Sequence, residues 1–228
     1  MDAHLEELKQ FEQFKGFGDN VIRYLCEGGR VCFSQHRDVL FKFEEEAHYF
    51  GIVLSGAYKL CRPSLGGNDS IVQVVLPGDI VGALIMSNPK PIYPVSVVSM
   101  GPSRFLKIPR DVYPTAWQMN AAVASRVQEL LGRRMQQMHA HKVLMRSHLS
   151  VRVAQLLLDF MDQVGNDGVY KLKVPMTRQE IADVLGVTVE SVIRTMSPWS
   201  KEGIIQTADQ YIQVQQVDAL VKITLGAD

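Results

Sequence analysis

The sequence predicts an α+β chain in three zones, and three observations carry that expectation. The first half holds short apolar runs broken by Gly, Pro and Asn. A stretch nearly free of breakers follows with helical periodicity, and near the end stands a capped pair of helices with two short β segments behind it. At 228 residues, 46% hydrophobic and 21% charged, the chain is ordinary for a globular protein and long enough to bury a core. No apolar run reaches the ~18 residues of a membrane span, and Met1 to Gln10 is polar and acidic, so an unprocessed cytoplasmic protein with no membrane contact is expected. Cys26, Cys32 and Cys61 are odd in number and follow no framework spacing, which predicts reduced thiols.

The first zone, residues 1–110, begins with a helical segment at Leu5 to Phe14. Apolar runs follow at Val39 to Phe43, Phe50 to Leu54, Ala57 to Cys61, Ile71 to Leu76, Val95 to Val98 and Phe105 to Ile108. Between them lie Ser55-Gly56, Gly66-Gly67-Asn68-Asp69, Pro77-Gly78-Asp79 and Gly101-Pro102, spaced as the turns of a sandwich or barrel. The second zone, residues 111–149, has Pro114 and Gly132 as its only breakers. Leu131, Met135, Met138, Lys142, Met145 and Leu149 recur at spacings of four and three, the a/d repeat of helices lying side by side. That seam predicts a homodimer, with a long helix packed on its own domain as the alternative.

The third zone, residues 150–228, starts with an amphipathic helical stretch at Val151 to Val164, a turn at Gly165 to Gly168 and an alternating Tyr170, Leu172, Val174. Thr177 and Glu180 then form a capping box, with Ile181, Ala182 and Leu185 on the inner face of the helix it opens. Gly186 stands where that helix must stop and turn, Thr188 caps the next, and Val192 and Met196 supply its buried side. This order predicts a helix-turn-helix, against the blander αα-hairpin without a ligand. Gly203-Ile204-Ile205 and Tyr211 to Val214 around a polar turn at Thr207 to Gln210 add a wing.

If the second helix enters a major groove, its first turns face base edges. Arg194 can donate twice to a guanine and Glu190 can accept from a cytosine, while Val189 or Ile193 can touch a thymine methyl. Thr177, Arg178, Thr188 and Ser191 complete the candidate DNA-binding set. Glu190 and Arg194 are four residues apart and can brace one another, the alternative being a solvated ion pair. Charge argues the other way. The whole chain is neutral, and Ser150 to Asp228 carries seven basic against ten acidic residues, where a DNA-binding protein usually shows a basic footprint.

Thr177 to Arg194 closely resembles the DNA-binding segment of the CRP/FNR family of bacterial transcription regulators. The likeness extends to Leu76 to Gly82, similar to the family's β-roll signature, to Ser55 to Leu60, to Leu131 to Met135 in its dimer helix, and to Val153 to Leu157 at the entry to its DNA-binding domain. The resemblance implies a cyclic-nucleotide-binding-type β-roll, a long dimerisation helix and a C-terminal winged helix-turn-helix. It implies double-stranded DNA as partner, an inverted-repeat operator and, as a further partner, RNA polymerase. Thr188 to Ser191 looks more like the FNR branch, which implies a TTG-like or TGA-like core, while Ile193 departs from that branch's polar residue.

Other departures concern the effector. The family's cyclic-AMP pocket needs a Gly-Glu pair and an Arg that clamps the phosphate, but Gly82 to Val95 holds neither Glu nor Arg. Gly82, Ala83, Lys90 and His139 are the candidate pocket residues, Lys90 being the available cation, and cyclic AMP is not the expected ligand. Three scattered cysteines do not match a four-cysteine iron–sulfur set, and no His lies between Asp79 and Arg110 for a haem. His139 and His141, two apart, cannot share one helical face. No metal site is expected, and cofactor and effector stay unassigned. Pro198 predicts a kink or an early end to the second helix. No phosphate loop or nucleophile–base set points to an enzyme and no catalytic residue is assigned, whereas a protein-binding winged helix stays open as the second reading.

Overall fold

The computed structural model describes residues 2–63, 69–162, 170–208 and 211–226. The chain divides into two compact units whose principal boundary falls between Met135 and Gln136, inside a helix.

The first unit opens with α1 (Asp2–Lys9), a 3-10 turn at Glu12–Phe14 and α2 (Asp19–Leu25). Eight strands follow: β1 (Arg30–Ser34), β2 (Val39–Phe41), β3 (Tyr49–Ser55), β4 (Tyr58–Pro63), β5 (Asp69–Val75), β6 (Ile80–Val81), β7 (Ser96–Ser99) and β8 (Ser103–Pro109). They form two four-stranded sheets, β1-β8-β3-β6 and β2-β7-β4-β5. β1, α2 and the two-residue β6 are elements that the apolar runs do not mark.

β3 is buried along nearly its whole length, which is why its sequence reads as a continuous apolar run. On one face Phe50 meets Tyr113 and Trp117 edge-on, with ring centroids 5.7 and 5.1 Å away. Across the sheet, Gly51 pairs with Lys107 and Ile52 with Leu106 of β8. A Cβ on Gly51 would stand 1.8 Å from the Leu106 carbonyl oxygen, so only glycine permits this strand separation. Phe105 of β8 packs edge-on to Phe41 and Tyr58. The Pro77-Gly78-Asp79 turn docks on β3, the Gly78 amide donating to Val53 O (2.8 Å) and the Val53 amide to Asp79 O (3.0 Å). Buried hydroxyls are internally engaged, as with Tyr58 donating to Ser34 Oγ at 3.2 Å.

A π-helical turn at Tyr113–Gln118 leads into α3 (Ala121–Leu144), and the Trp117 indole donates to the Leu25 carbonyl that ends α2 (3.0 Å). Val123 of α3 is buried in the core of the first unit. At 24 residues, α3 is about 36 Å long. It is shorter than the periodicity suggests: the amides of Arg146 and Ser147 bond to Val143 and Leu144 in a tight turn. Met145 therefore lies past the helix end, and Leu149 is the first residue of the next helix.

The second unit contains α4 (Leu149–Phe160), β9 (Tyr170–Lys171), α5 (Arg178–Leu185), α6 (Val189–Lys201), β10 (Ile205–Ala208), β11 (Tyr211–Val214) and α7 (Val217–Thr224). The strands form one antiparallel sheet, β10-β11-β9. Val153 and Leu157 of α4 are buried with Ile181, Val192, Met196, Ile212 and Leu220, and α4 packs on α5, α6 and α7. The expected strand from Tyr170 to Val174 is only two residues long, Leu172 making an isolated bridge to Met161. The expected turns at 66–68 and 165–168 and the wing tip at 209–210 lie outside the described residues, as does the side chain of His141. Among the described residues no helix is long and apolar enough to cross a membrane.

Candidate nucleic-acid interface

The first helix of the pair begins as its sequence dictates. The Glu180 amide donates to Thr177 Oγ1 at 3.1 Å, and the Thr177 amide donates to Glu180 Oε2 at 3.0 Å. The Glu180 side chain is buried by this arrangement. Gly186 ends α5 with φ 64° and ψ 41°, a left-handed conformation in which a side chain costs about 1–2 kcal/mol. Thr188 then caps α6, accepting from the Ser191 amide at 3.3 Å.

Along α6 one face is core and the other is open. Val192 and Met196 are buried, and Trp199 nearly so. Glu190, Ile193 and Arg194 are exposed, Ile193 by 47%, and Val189 and Ser191 are half-buried. An isoleucine this exposed on a helix surface is available for an apolar contact with a partner. Among the described residues no ion pair joins Glu190 to Arg194, so the expected mutual brace is absent. Both side chains are exposed to solvent.

Of the kink or early end expected at Pro198, the early end does not occur. α6 continues to Lys201, and the Glu202 amide returns to Pro198 O at 2.9 Å. Proline supplies no amide for the Arg194 carbonyl. One and three residues earlier, hydroxyls bond back to the helix: Ser197 Oγ to Ile193 O at 2.7 Å and Thr195 Oγ1 to Ser191 O at 2.9 Å. Proline is accommodated because the last turns of α6 are anchored by buried Trp199 and Met196.

Arg178 is not a free surface cation. Its Nη2 donates to Thr207 Oγ1 of β10 at 3.1 Å, and burial lowers its guanidinium from the usual arginine pKa. It thus ties the start of α5 to the wing. Arg152 of α4, which the sequence gives no reason to single out, is buried, and its Nη2 donates to the Leu185 carbonyl at the end of α5. A basic residue in the first turn of an amphipathic helix carries no signal that it will fold inward.

The other candidates fare differently. On α3, Leu131, Met135, Met138 and Lys142 are exposed at spacings of four, three and four. Met145 is exposed in the turn and Leu149 is half-buried in α4, so neither extends the α3 repeat. Gly82, with φ 82°, starts the 3-10 turn Ala83–Ser87, and Ala83 is buried. Lys90 is exposed on the following loop, which Arg110 pins by donating to Asn88 O (2.9 Å) and Pro89 O (3.1 Å). His139 is exposed on the part of α3 that belongs to the second unit. Near Lys90 the Tyr93 ring stacks on Phe41 at 4.5 Å, and its hydroxyl donates to Tyr49 O at 2.6 Å. Cys26 and Cys32 are half-buried thiols and Cys61 is buried; burial pushes the Cys26 thiol up to about 12, far from a reactive thiolate. Among the described residues no group of His, Cys, Asp or Glu could hold a metal.

Comparison with known proteins agrees with this geometry. The Crp-like helix-turn-helix domain family matches residues 151–223 and the cyclic nucleotide-binding domain family matches residues 33–118. The chain is 30% identical over 184 residues to the nitrogen fixation regulation protein FixK of Bradyrhizobium diazoefficiens, covering 78% of this chain and 74% of that one. It is 24% identical over 194 residues to the anaerobic regulatory protein of Pasteurella multocida, covering 83% and 70%. In fold it is similar to the crystal structure of FixK2 from Bradyrhizobium japonicum, with a TM-score of 0.72 and 21% identity over 85% of this chain and 96% of that one. A CRP-family transcriptional regulator from Thermus thermophilus gives a TM-score of 0.71 at 20% identity, with the same coverage.

Proposed function

Because the chain belongs to the CRP/FNR family of bacterial transcription regulators and is a DNA-binding regulator, we propose that it acts as a homodimer reading an inverted-repeat operator. The observation that carries this is the open face of α6. Glu190 and Arg194 stand one turn apart, exposed and unpaired with each other, on a helix whose opposite face is core. A helix presented this way places its first turns against base edges. Arg194 takes the guanine edge, Glu190 the cytosine amino group, and Val189 and Ile193 the thymine methyls of a TTG-like or TGA-like half-site. Thr177, Arg178, Thr188 and Ser191 flank the groove and serve the phosphates, with Arg178 held in place by Thr207. Such contacts need only a few local cations, so an acidic C-terminal unit is compatible with them.

Two reading heads follow from pairing along α3. Leu131, Met135 and Met138 offer an apolar stripe that is exposed among the described residues. Lys142 interrupts it and lowers the stability of the pair. Met138→Glu is expected to leave each unit folded and to shift the protein from dimer to monomer in sedimentation equilibrium. Dimeric Met138→Glu protein at micromolar concentration would remove α3 as the interface.

RNA polymerase is the further partner on this reading. No effector is assigned, and cyclic AMP does not fit: buried Ala83, Met86 and Tyr93 fill the stretch where a phosphate clamp needs charge, and the Tyr93 hydroxyl is engaged by Tyr49. The decisive experiment is fluorescence polarisation with a palindromic duplex of two TTG-type half-sites against a scrambled duplex of equal length. Tighter binding to the palindrome, falling steeply with salt, is the expected result. Absence of salt-dependent binding to either duplex would refute DNA reading.

A further inference from the structure

A buried cation lies inside the second unit without an ion-pair partner among the described residues. Arg152 is 9% exposed, its Nε has no hydrogen-bond partner, and among the described residues no carboxylate forms an ion pair with it. Its Nη2 donates to the Leu185 carbonyl, the last of α5, and approaches Met145 Sδ at 3.2 Å. Leu185 is immediately followed by Gly186, the turn of the helix pair, and Met145 lies immediately beyond the end of α3. Arg152 also sits in the first turn of α4, where the helix macrodipole opposes a cation. Burying such a group costs stability, and an apolar residue of similar volume would be neutral or better. The arrangement therefore does not make sense as a device for stability.

We propose that Arg152 is a positioning residue for DNA reading: its guanidinium holds the carboxyl end of α5, and with it the turn that aims α6, against the segment joining α3 to α4. The negative end of the α5 dipole and the unsatisfied Leu185 carbonyl give the cation a specific seat. Met145 is a soft, polarisable neighbour that can move along the guanidinium as the joining segment shifts, without breaking the bond to Leu185. One side chain thus touches both the outgoing end of the dimer helix and the hinge point of the reading head. The proposal rests on the DNA-reading function above and adds a residue that contacts neither DNA nor the partner copy.

The test uses full-length protein and Arg152→Met, which removes the charge and keeps much of the volume. The expected result separates folding from reading. The thermal midpoint stays level or rises, while the preference for the palindromic duplex over the scrambled one falls about tenfold to a hundredfold, comparable to a mismatched base pair. Affinity for the scrambled duplex, set by phosphate contacts, stays within about twofold of native. If Arg152→Met does not fold, Arg152→Gln carries the same expectation. An unchanged preference in whichever variant folds overturns the proposal, as does a lost preference that merely tracks a lowered thermal midpoint. Failure of the native protein to distinguish the duplexes would instead strike the functional reading.

Discussion

Arg194→Ala is expected to remove most of the preference for a palindromic operator while leaving the protein folded. A bidentate contact to guanine contributes about 1–3 kcal/mol of discrimination, and a symmetric pair loses two of them, about 2–6 kcal/mol together. Arg194 is exposed and makes no ion pair with Glu190, so its truncation leaves no buried partner unsatisfied. The thermal midpoint should therefore stay within about 0.5 kcal/mol-equivalent of native, as for an ordinary surface substitution. Binding to the scrambled duplex should persist with a slightly shallower salt slope, since one cation per head is gone. Polarisation titrations at two salt concentrations check both statements. Palindrome binding within threefold of native would show that Arg194 does not touch the bases.

Gly51→Ala is expected to be the most damaging conservative change in the first unit. The added Cβ would meet a backbone carbonyl at 1.8 Å, and no rotamer relieves a clash between main-chain-fixed atoms. Either β3 and β8 separate, losing the pairing from Tyr49↔Pro109 to Ile52↔Leu106, or both strands shift against the Phe50–Trp117 contact. Overpacking of this kind costs about 3 kcal/mol or more, equivalent to a fall of about 10 °C or more in the melting of a unit this size. Scanning calorimetry should show the transition of the first unit moving while that of the second stays in place. A shift below about 2 °C would mean the sheet gives way cheaply at this point.

The reading head is the part most legible in the sequence, because local chemistry specifies it. Thr177, Glu180, Gly186 and Thr188 each act on backbone groups within a few residues, and the structure shows each in its expected role. The strands β3, β4, β5 and β8 are legible as apolar runs bounded by turn residues, β3 being buried along nearly its whole length. What escapes is set by distant neighbours. β1 exposes Phe33 and buries Ser34, the reverse of an apolar-in pattern, and it forms because β8 supplies its pairing. The helices α2 and α7 are eight residues or fewer, and neither has a side-chain cap to announce it. The heptad spacing runs on through Met145 and Leu149 although the helix does not, because spacing is blind to the tight turn at Arg146 and Ser147. Pro198 misleads in the opposite sense: a local breaker is overridden by the burial of Trp199 and Met196 on either side of it. Arg152 is invisible for a related reason, since its partners, Leu185 and Met145, are chosen by tertiary packing.

The chain's two tryptophans fall one to each compact unit, Trp117 among the aromatic rings beside β3 and Trp199 inside the reading helix. Nature has in effect installed two separate lamps. With Trp117 replaced by phenylalanine, tryptophan emission comes from the helix-turn-helix unit alone, so opening of that unit can be timed without attaching a dye. The reciprocal Trp199 replacement gives the first unit the same private signal.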